Sequence, residues 1–164
     1  MKRFMRKGFT LVEILIVIAV IGILASMIML SSSESVSSAN ANNIISNLVN
    51  WKQAALMYYT DSLDVFNNPA KASLAGNEPK SADVIRYLAN NKVTDNFEGY
   101  DIERATSSFP YEWYVKYTGG YLADPAVKQK LAARASSVGL KSTSDSTKTN
   151  DVYKDQNTVY LRVR

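Results

Sequence analysis

The sequence predicts an α+β protein: one long N-terminal α-helix, apolar in its first half, whose second half packs against a small antiparallel β-sheet head with short helices. Three observations predict it. From Phe9 to Leu30 runs a 22-residue stretch whose only charge is Glu13. Beyond Leu30 the chain turns polar, yet neither Pro nor Gly interrupts it before Pro69. After Pro69, short segments alternate apolar with polar residues, and turn-forming residues separate them.

The apolar run comes first. As a helix it is about 33 Å long, enough to cross the hydrocarbon core of a bilayer. Lys2, Arg3, Arg6 and Lys7 precede it with no acid among residues 1–8, so the positive-inside rule keeps that end cytoplasmic and sends the remainder outward. Those four cations account for the whole excess of 19 Lys+Arg over 15 Asp+Glu. The basic balance therefore belongs to a topogenic segment, and no specific nucleic-acid partner is predicted. Zero Cys excludes disulfides, thiolate catalysis and Cys-ligated zinc, and zero His removes the usual general base and commonest metal ligand. Phosphate loops and nucleophile–base pairs are missing as well. The expectation is a non-enzyme with no catalytic residue, no metal and no cofactor.

A removable secretory signal would end in an A-x-A-type site, but this run is too long and is followed by "SSSESVSS". A plain signal anchor accounts for length and charge, though not for Glu13 or for "KGFTLVE". A buried soluble helix of 22 residues would show an amphipathic alternation that is absent here. "KGFTLVE" followed by a long apolar helix instead closely resembles the class III signal of type IV prepilins and type II secretion pseudopilins. The resemblance is specific over about residues 1–35 and implies the pilin fold. It also implies that prepilin peptidase, a membrane aspartyl enzyme, cuts after Gly8 on the cytoplasmic face and N-methylates the new terminus, Phe9.

The same resemblance makes Phe9 and Glu13 the assembly residues. A carboxylate inside a bilayer costs about 2.5–3.5 kcal/mol on insertion scales, so it is kept where it finds a partner. Cleavage frees an amine at Phe9, whose reference pKa near 8 leaves it largely protonated. Within one helix Phe9 and Glu13 form an i,i+4 pair; in the family's filament the carboxylate meets the amine of a neighbouring subunit. Both pairings stay open. The implied partners are a homo-oligomeric helical filament, prepilin peptidase, the inner-membrane assembly machinery and, before assembly, the membrane. Many family members carry a Pro near the end of the apolar run; here "ASMIML" has none, and Gly22 remains, at about 1 kcal/mol relative to Ala in a helix. A C-terminal disulfide loop, common in major pilins, is also lacking.

The helix is predicted over about residues 9–60, some 78 Å. Val36, Ile44, Leu48, Trp51, Ala55 and Tyr58/Tyr59 mark its apolar face, with a flexible Ser-rich tether as the alternative. Residues 61–80 read as a surface connection. "SADVIRYLANN" is a short helix with Ser81 as N-cap and Asp83 favouring the dipole. "EGYDIERA" is a strand, and "PYEWYVKYTGGY" is a clearer one with Tyr111, Trp113, Val115 and Tyr117 opposite Glu112, Tyr114 and Lys116. "DPAVKQKLAARASSVGL" carries Asp124 at N-cap, Pro125 at N1 and Gly139 at its end. "KSTSDSTKTND" is a polar loop, and "NTVYLRVR" closes the chain with Val159, Leu161 and Val163 on one face. The expected division is leader 1–8, transmembrane helix 9–30, amphipathic continuation 31–60 and head 61–164.

Asp145, Asp151 and Asp155 raise a calcium reading through the family, but a solvated loop is preferred because calcium wants six to eight oxygens in a defined turn. Lys128, Lys130 and Arg134 read as a solvated helix face. The expected function is a structural subunit of a type IV pilus. The alternative is the major pseudopilin of a type II secretion or competence system. Outside the class stands a signal-anchored extracytoplasmic binding or enzymatic domain.

Overall fold

The structure, a computed structural model, describes residues 8–62, 81–88, 98–105, 112–144 and 151–163. The chain divides into two units, Met1–Val36 and Ser37–Arg164. One helix, α1 (Leu11–Asp61), contributes to both.

In the first unit α1 is unbroken at Gly22, and every described side chain from Phe9 to Met29 is exposed. The Ser-rich stretch is helical rather than a tether. Ser hydroxyls bond back to the helix, Ser32 of this stretch to the Ile28 carbonyl at 2.9 Å and Ser26 of the apolar run before it to that of Ile23 at 2.7 Å, so these hydroxyls are satisfied without leaving the helix.

In the second unit Ala41, Ile44, Leu48, Trp51 and Ala55 recur at three- and four-residue spacing and are buried. Val36, expected on this stripe, is 58% exposed. Each residue turns the helix by about 100°, so Val36 stands off the stripe and Ser37 stands on it. Ser37 is accordingly buried, and its hydroxyl donates to Asp124 Oδ2 at 2.8 Å.

The sheet is fully antiparallel in the order β1-β2-β4-β3: β1 Tyr100–Arg104, β2 Trp113–Tyr117, β3 Leu140–Lys141 and β4 Val159–Arg162. Its register places Ile102 beside Val115, and Leu161 between Val115 and Leu140, an apolar row across all four strands. That row joins the α1 stripe in one core. Trp113 adds edge-on contact with Tyr59, ring centroids 5.5 Å apart.

Both faces of β2 are covered at Tyr114, which is buried although it stands opposite Trp113, Val115 and Tyr117. An interior strand has neighbours on both sides, and in register Tyr114 lies between Glu103 and Arg162. Its hydroxyl donates to Glu112 at 2.7 Å, which also pairs with Arg162 at 2.7 Å, and Tyr160 meets its ring edge-on. Lys116 bridges Asp101 at 3.1 Å and Glu103 at 3.3 Å. Burial alone would raise the Asp101 pKa, but the Ser81 hydroxyl, Lys116 and the Ile102 amide outweigh it and hold the carboxyl below its ordinary value. Tyr111 lies outside the described residues.

α2 (Ser81–Ile85) is shorter than expected, with Leu88 buried just beyond it. Ser81 is its first residue, and its hydroxyl goes to Asp101 rather than capping the helix. α3 (Pro125–Val138) has all three expected signals: Asp124 accepts from the Ala126 amide at 2.9 Å, Pro125 opens the helix, and Gly139 ends it in the left-handed region at φ 80°. Asp124 therefore caps α3 with one oxygen and holds Ser37 of α1 with the other. Asp124→Ala should lose a cap worth about 0.5–2 kcal/mol and, with it, the Ser37 hydrogen bond to a charged group, worth about 1.5–3 kcal/mol. Asp124→Asn, whose amide oxygen still caps, should lose less; urea unfolding midpoints check the order.

Beyond β3, Asp151 accepts from the Ser142 and Thr143 amides at 2.9 and 2.8 Å, which commits one of its oxygens to closing the loop. Asp155 is exposed. Asp145 and most of the polar loop lie outside the described residues, as does most of the 61–80 connection. Tyr153, buried behind the loop, has its phenol pushed up to about 12 by that burial. Lys128 and Arg134 reach Asn157 and Asn42, so the basic face of α3 is tied to its surroundings.

Candidate processing and assembly site

The site occupies the entry to α1. Gly8, Phe9 and Thr10 precede the helix, and Leu11 is its first residue. Thr10 fits the N-cap: its hydroxyl accepts from the Glu13 amide at 3.2 Å. Glu13 reciprocates, Oε2 accepting from the Thr10 amide at 3.2 Å and from the Thr10 hydroxyl at 3.3 Å. The first helical bond follows, from the Ile14 amide to the Thr10 carbonyl at 3.3 Å. This reciprocal pair is a capping box, which satisfies two backbone donors that a helix start otherwise leaves orphaned. The Glu13 charge also lies in the first turn, where the helix dipole favours it.

Two consequences follow for Gly8 and Phe9. The cap holds the helix start at Leu11, so the Gly8–Phe9 peptide bond lies outside it. Phe9 is 82% exposed, and Gly8 is exposed too. Among the described residues nothing stands within 4 Å of where a Gly8 side chain would begin. Packing among the described residues therefore does not explain the glycine.

Glu13 and Phe9, expected as an acid and amine pair, sit four residues apart as the sequence places them. In the uncut chain Phe9 has a peptide amide and no amine, and the Glu13 carboxylate turns to Thr10 instead. Thr10 carries no role in the sequence analysis above. The spacing Thr-x-x-Glu ahead of an apolar run is the local signal that identifies it.

Beyond the cap, Leu11, Val12, Ile14, Leu15, Ile18 and the large apolar residues as far as Met29 are exposed among the described residues, and the helix is long and apolar enough to cross a membrane. Among the described residues no cluster of three or more acidic, His or Cys side chains is placed to hold a metal ion.

No curated protein and no solved structure matches the chain. Residues 3–29 match the family model of the prokaryotic N-terminal methylation motif. An apolar helix behind such a motif fits a membrane-anchored prepilin and suggests a structural protein that prepilin peptidase processes and that assembles into filaments. The geometry at the start of α1 thus coincides with a matched motif, and the chain carries at residues 3–29 the class III prepilin signal of the type IV pilin and pseudopilin family.

Proposed function

We propose that the protein is a structural subunit of a type IV pilus filament, inserted as a membrane precursor, cut between Gly8 and Phe9, methylated at Phe9 and polymerised through α1. The observation that carries the proposal is the match at residues 3–29 on an exposed bond standing just ahead of a helix whose described apolar side chains are exposed as far as Met29. Gly8 supports it, because a glycine that packing among the described residues does not require is explained by a peptidase that must approach the backbone closely. Leader removal discards all four cations of residues 1–8 and supplies in their place one amine beside Glu13.

The membrane is then a holding place. Apolar side chains around the helix are content in lipid, and equally content against the same helix of neighbouring subunits. Glu13 biases that exchange, since in lipid its charge is costly and beside a neighbour's amine it is neutralised. The major pseudopilin of a type II secretion or competence system assembles by the same chemistry; the lack of Cys, hence of a C-terminal disulfide loop, suits it equally.

Mass spectrometry of the mature protein is expected to find N-methylphenylalanine at position 9 as the terminus. An intact Met1 overturns the proposal. Electron microscopy separates its two forms, with long surface filaments for a pilin and none beside an active secretion system for a pseudopilin.

A further inference from the structure

We infer that the second unit carries a binding groove for a neutral carbohydrate. A cavity of about 960 Å³ opens between the Asn43–Asn47 turn of α1 and the two turns that enter β1 and leave β2. That volume is at the upper end of the roughly 300–1,000 Å³ typical of small-molecule sites. The inference uses second-unit residues alone and stands whether or not the chain forms filaments.

The floor is rigid. Trp51 and Tyr100 stack with ring centroids 6.4 Å apart and planes 12° from parallel, and Tyr117 follows at 4.4 Å from Tyr100. Burial outweighs the Asn47 side chain beside the Tyr100 phenol and the Tyr121 backbone beside the Tyr117 phenol, each of which favours the ionised form. Burial raises the pKa of both phenols, so they remain neutral at physiological pH. The two turns are pressed together at Gly99 and Gly119. A Cβ on Gly99, at φ 85°, would lie 2.6 Å from the Gly119 Cα, so only glycine permits the approach.

The rim supplies the recognition chemistry. Tyr121 stands on the 3₁₀ turn Gly120–Ala123 and leaves 53% of itself in solvent. Among the described residues of this unit, Met57, Tyr121 and Val152 are the exposed large apolar side chains, and of these Tyr121 alone lines the groove. The same groove is lined by Asn43, Glu98 and Thr118, whose amide and hydroxyl donate and accept and whose carboxylate accepts. Among the described lining residues there is no Lys or Arg and there is one carboxylate, so phosphates, nucleic acids and acidic sugars are disfavoured. A flat aromatic surface beside amide and carboxylate groups matches a ligand with an apolar C–H face and hydroxyl edges. A sugar ring has both; a peptide would need apolar pockets that this lining lacks.

The test uses the full chain in zwitterionic micelles free of sugar headgroups, titrated with maltotriose, cellotriose and chitotriose. Binding is read by saturation-transfer NMR and by the fluorescence of Trp51, which stacks beneath the groove. At least one of the three should bind saturably. Tyr121→Ala should weaken it by about tenfold and Asn43→Ala by several-fold, with the unfolding midpoint unchanged because both side chains are exposed. Failure of all three sugars to bind, binding indifferent to Tyr121→Ala, or tighter binding of anionic trigalacturonate would each overturn the inference.

Discussion

Glu13→Gln is expected to abolish filament assembly while leaving membrane insertion and leader removal intact. The capping box makes this substitution more informative than Glu13→Ala. Gln at the third helical position reaches back to the cap amide as Glu does, so Glu13→Gln keeps the hydrogen bond to Thr10 and removes only the charge. Thr10→Ala does the converse: it removes the hydroxyl that accepts from the Glu13 amide and keeps the carboxylate.

Magnitudes separate the two roles. A lost N-cap costs about 1 kcal/mol, which a long helix packed in a filament tolerates. Leaving a neighbour's amine without its carboxylate in a buried bundle costs about 3–5 kcal/mol, and each subunit would incur it. The expected order of assembly is therefore wild type, then Thr10→Ala slightly reduced, then Glu13→Gln near zero. Sheared surface filaments measured by immunoblot, with the membrane fraction and the mature N-terminus as controls, read that order. Should Thr10→Ala fail as badly as Glu13→Gln, Glu13 acts chiefly as a cap; normal filaments from Glu13→Gln defeat the charge pairing altogether.

Trp51→Ala should remove most of the stability of the second unit. Trp51 lies mid-stripe on α1, fully buried and stacked on Tyr100 of β1, so one side chain joins the helix to the edge of the sheet. Truncating a buried Trp costs about 3–5 kcal/mol, against a total of about 5–15 kcal/mol for a typical domain. Urea unfolding, followed through the remaining Trp113, should show the midpoint collapse with little change in slope. Gln53→Ala, on the exposed side of the same helix, should stay within about 0.5 kcal/mol of wild type. A loss below about 1 kcal/mol for Trp51→Ala would mean that the unit is held together elsewhere.

Local signals account for what the sequence made legible. The apolar run, the basic leader and "KGFTLVE" lie within thirty residues, and their meaning does not depend on what folds against them. Asp124, Pro125 and Gly139 foretold both ends of α3 because capping is settled by hydrogen bonds a few residues apart. The Thr10–Glu13 box was equally local, four residues long, and was masked because the same residues also spell a processing signal.

Where the sequence misled, the deciding neighbour was distant. Val36 looked core-facing by hydrophobicity, but helical phase and the Asp124 carboxylate put Ser37 inside. Alternation set Tyr114 opposite Trp113, Val115 and Tyr117 without saying what covers it; the cover of an interior strand comes from its flanks, here β1 and β4. Ser81 looked like a cap until Asp101 took its hydroxyl. The groove unites residues 43 to 121, and no local pattern marks it.

The sequence by itself determined the processing signal, the apolar helix and the ends of α3, because each is set by contacts within a few residues or with the membrane. Only the tertiary structure decided which polar groups are buried, which strand is interior and that Tyr121 and Asn43 line one groove. Those outcomes depend on distant segments excluding water from one another, and chain order does not record that.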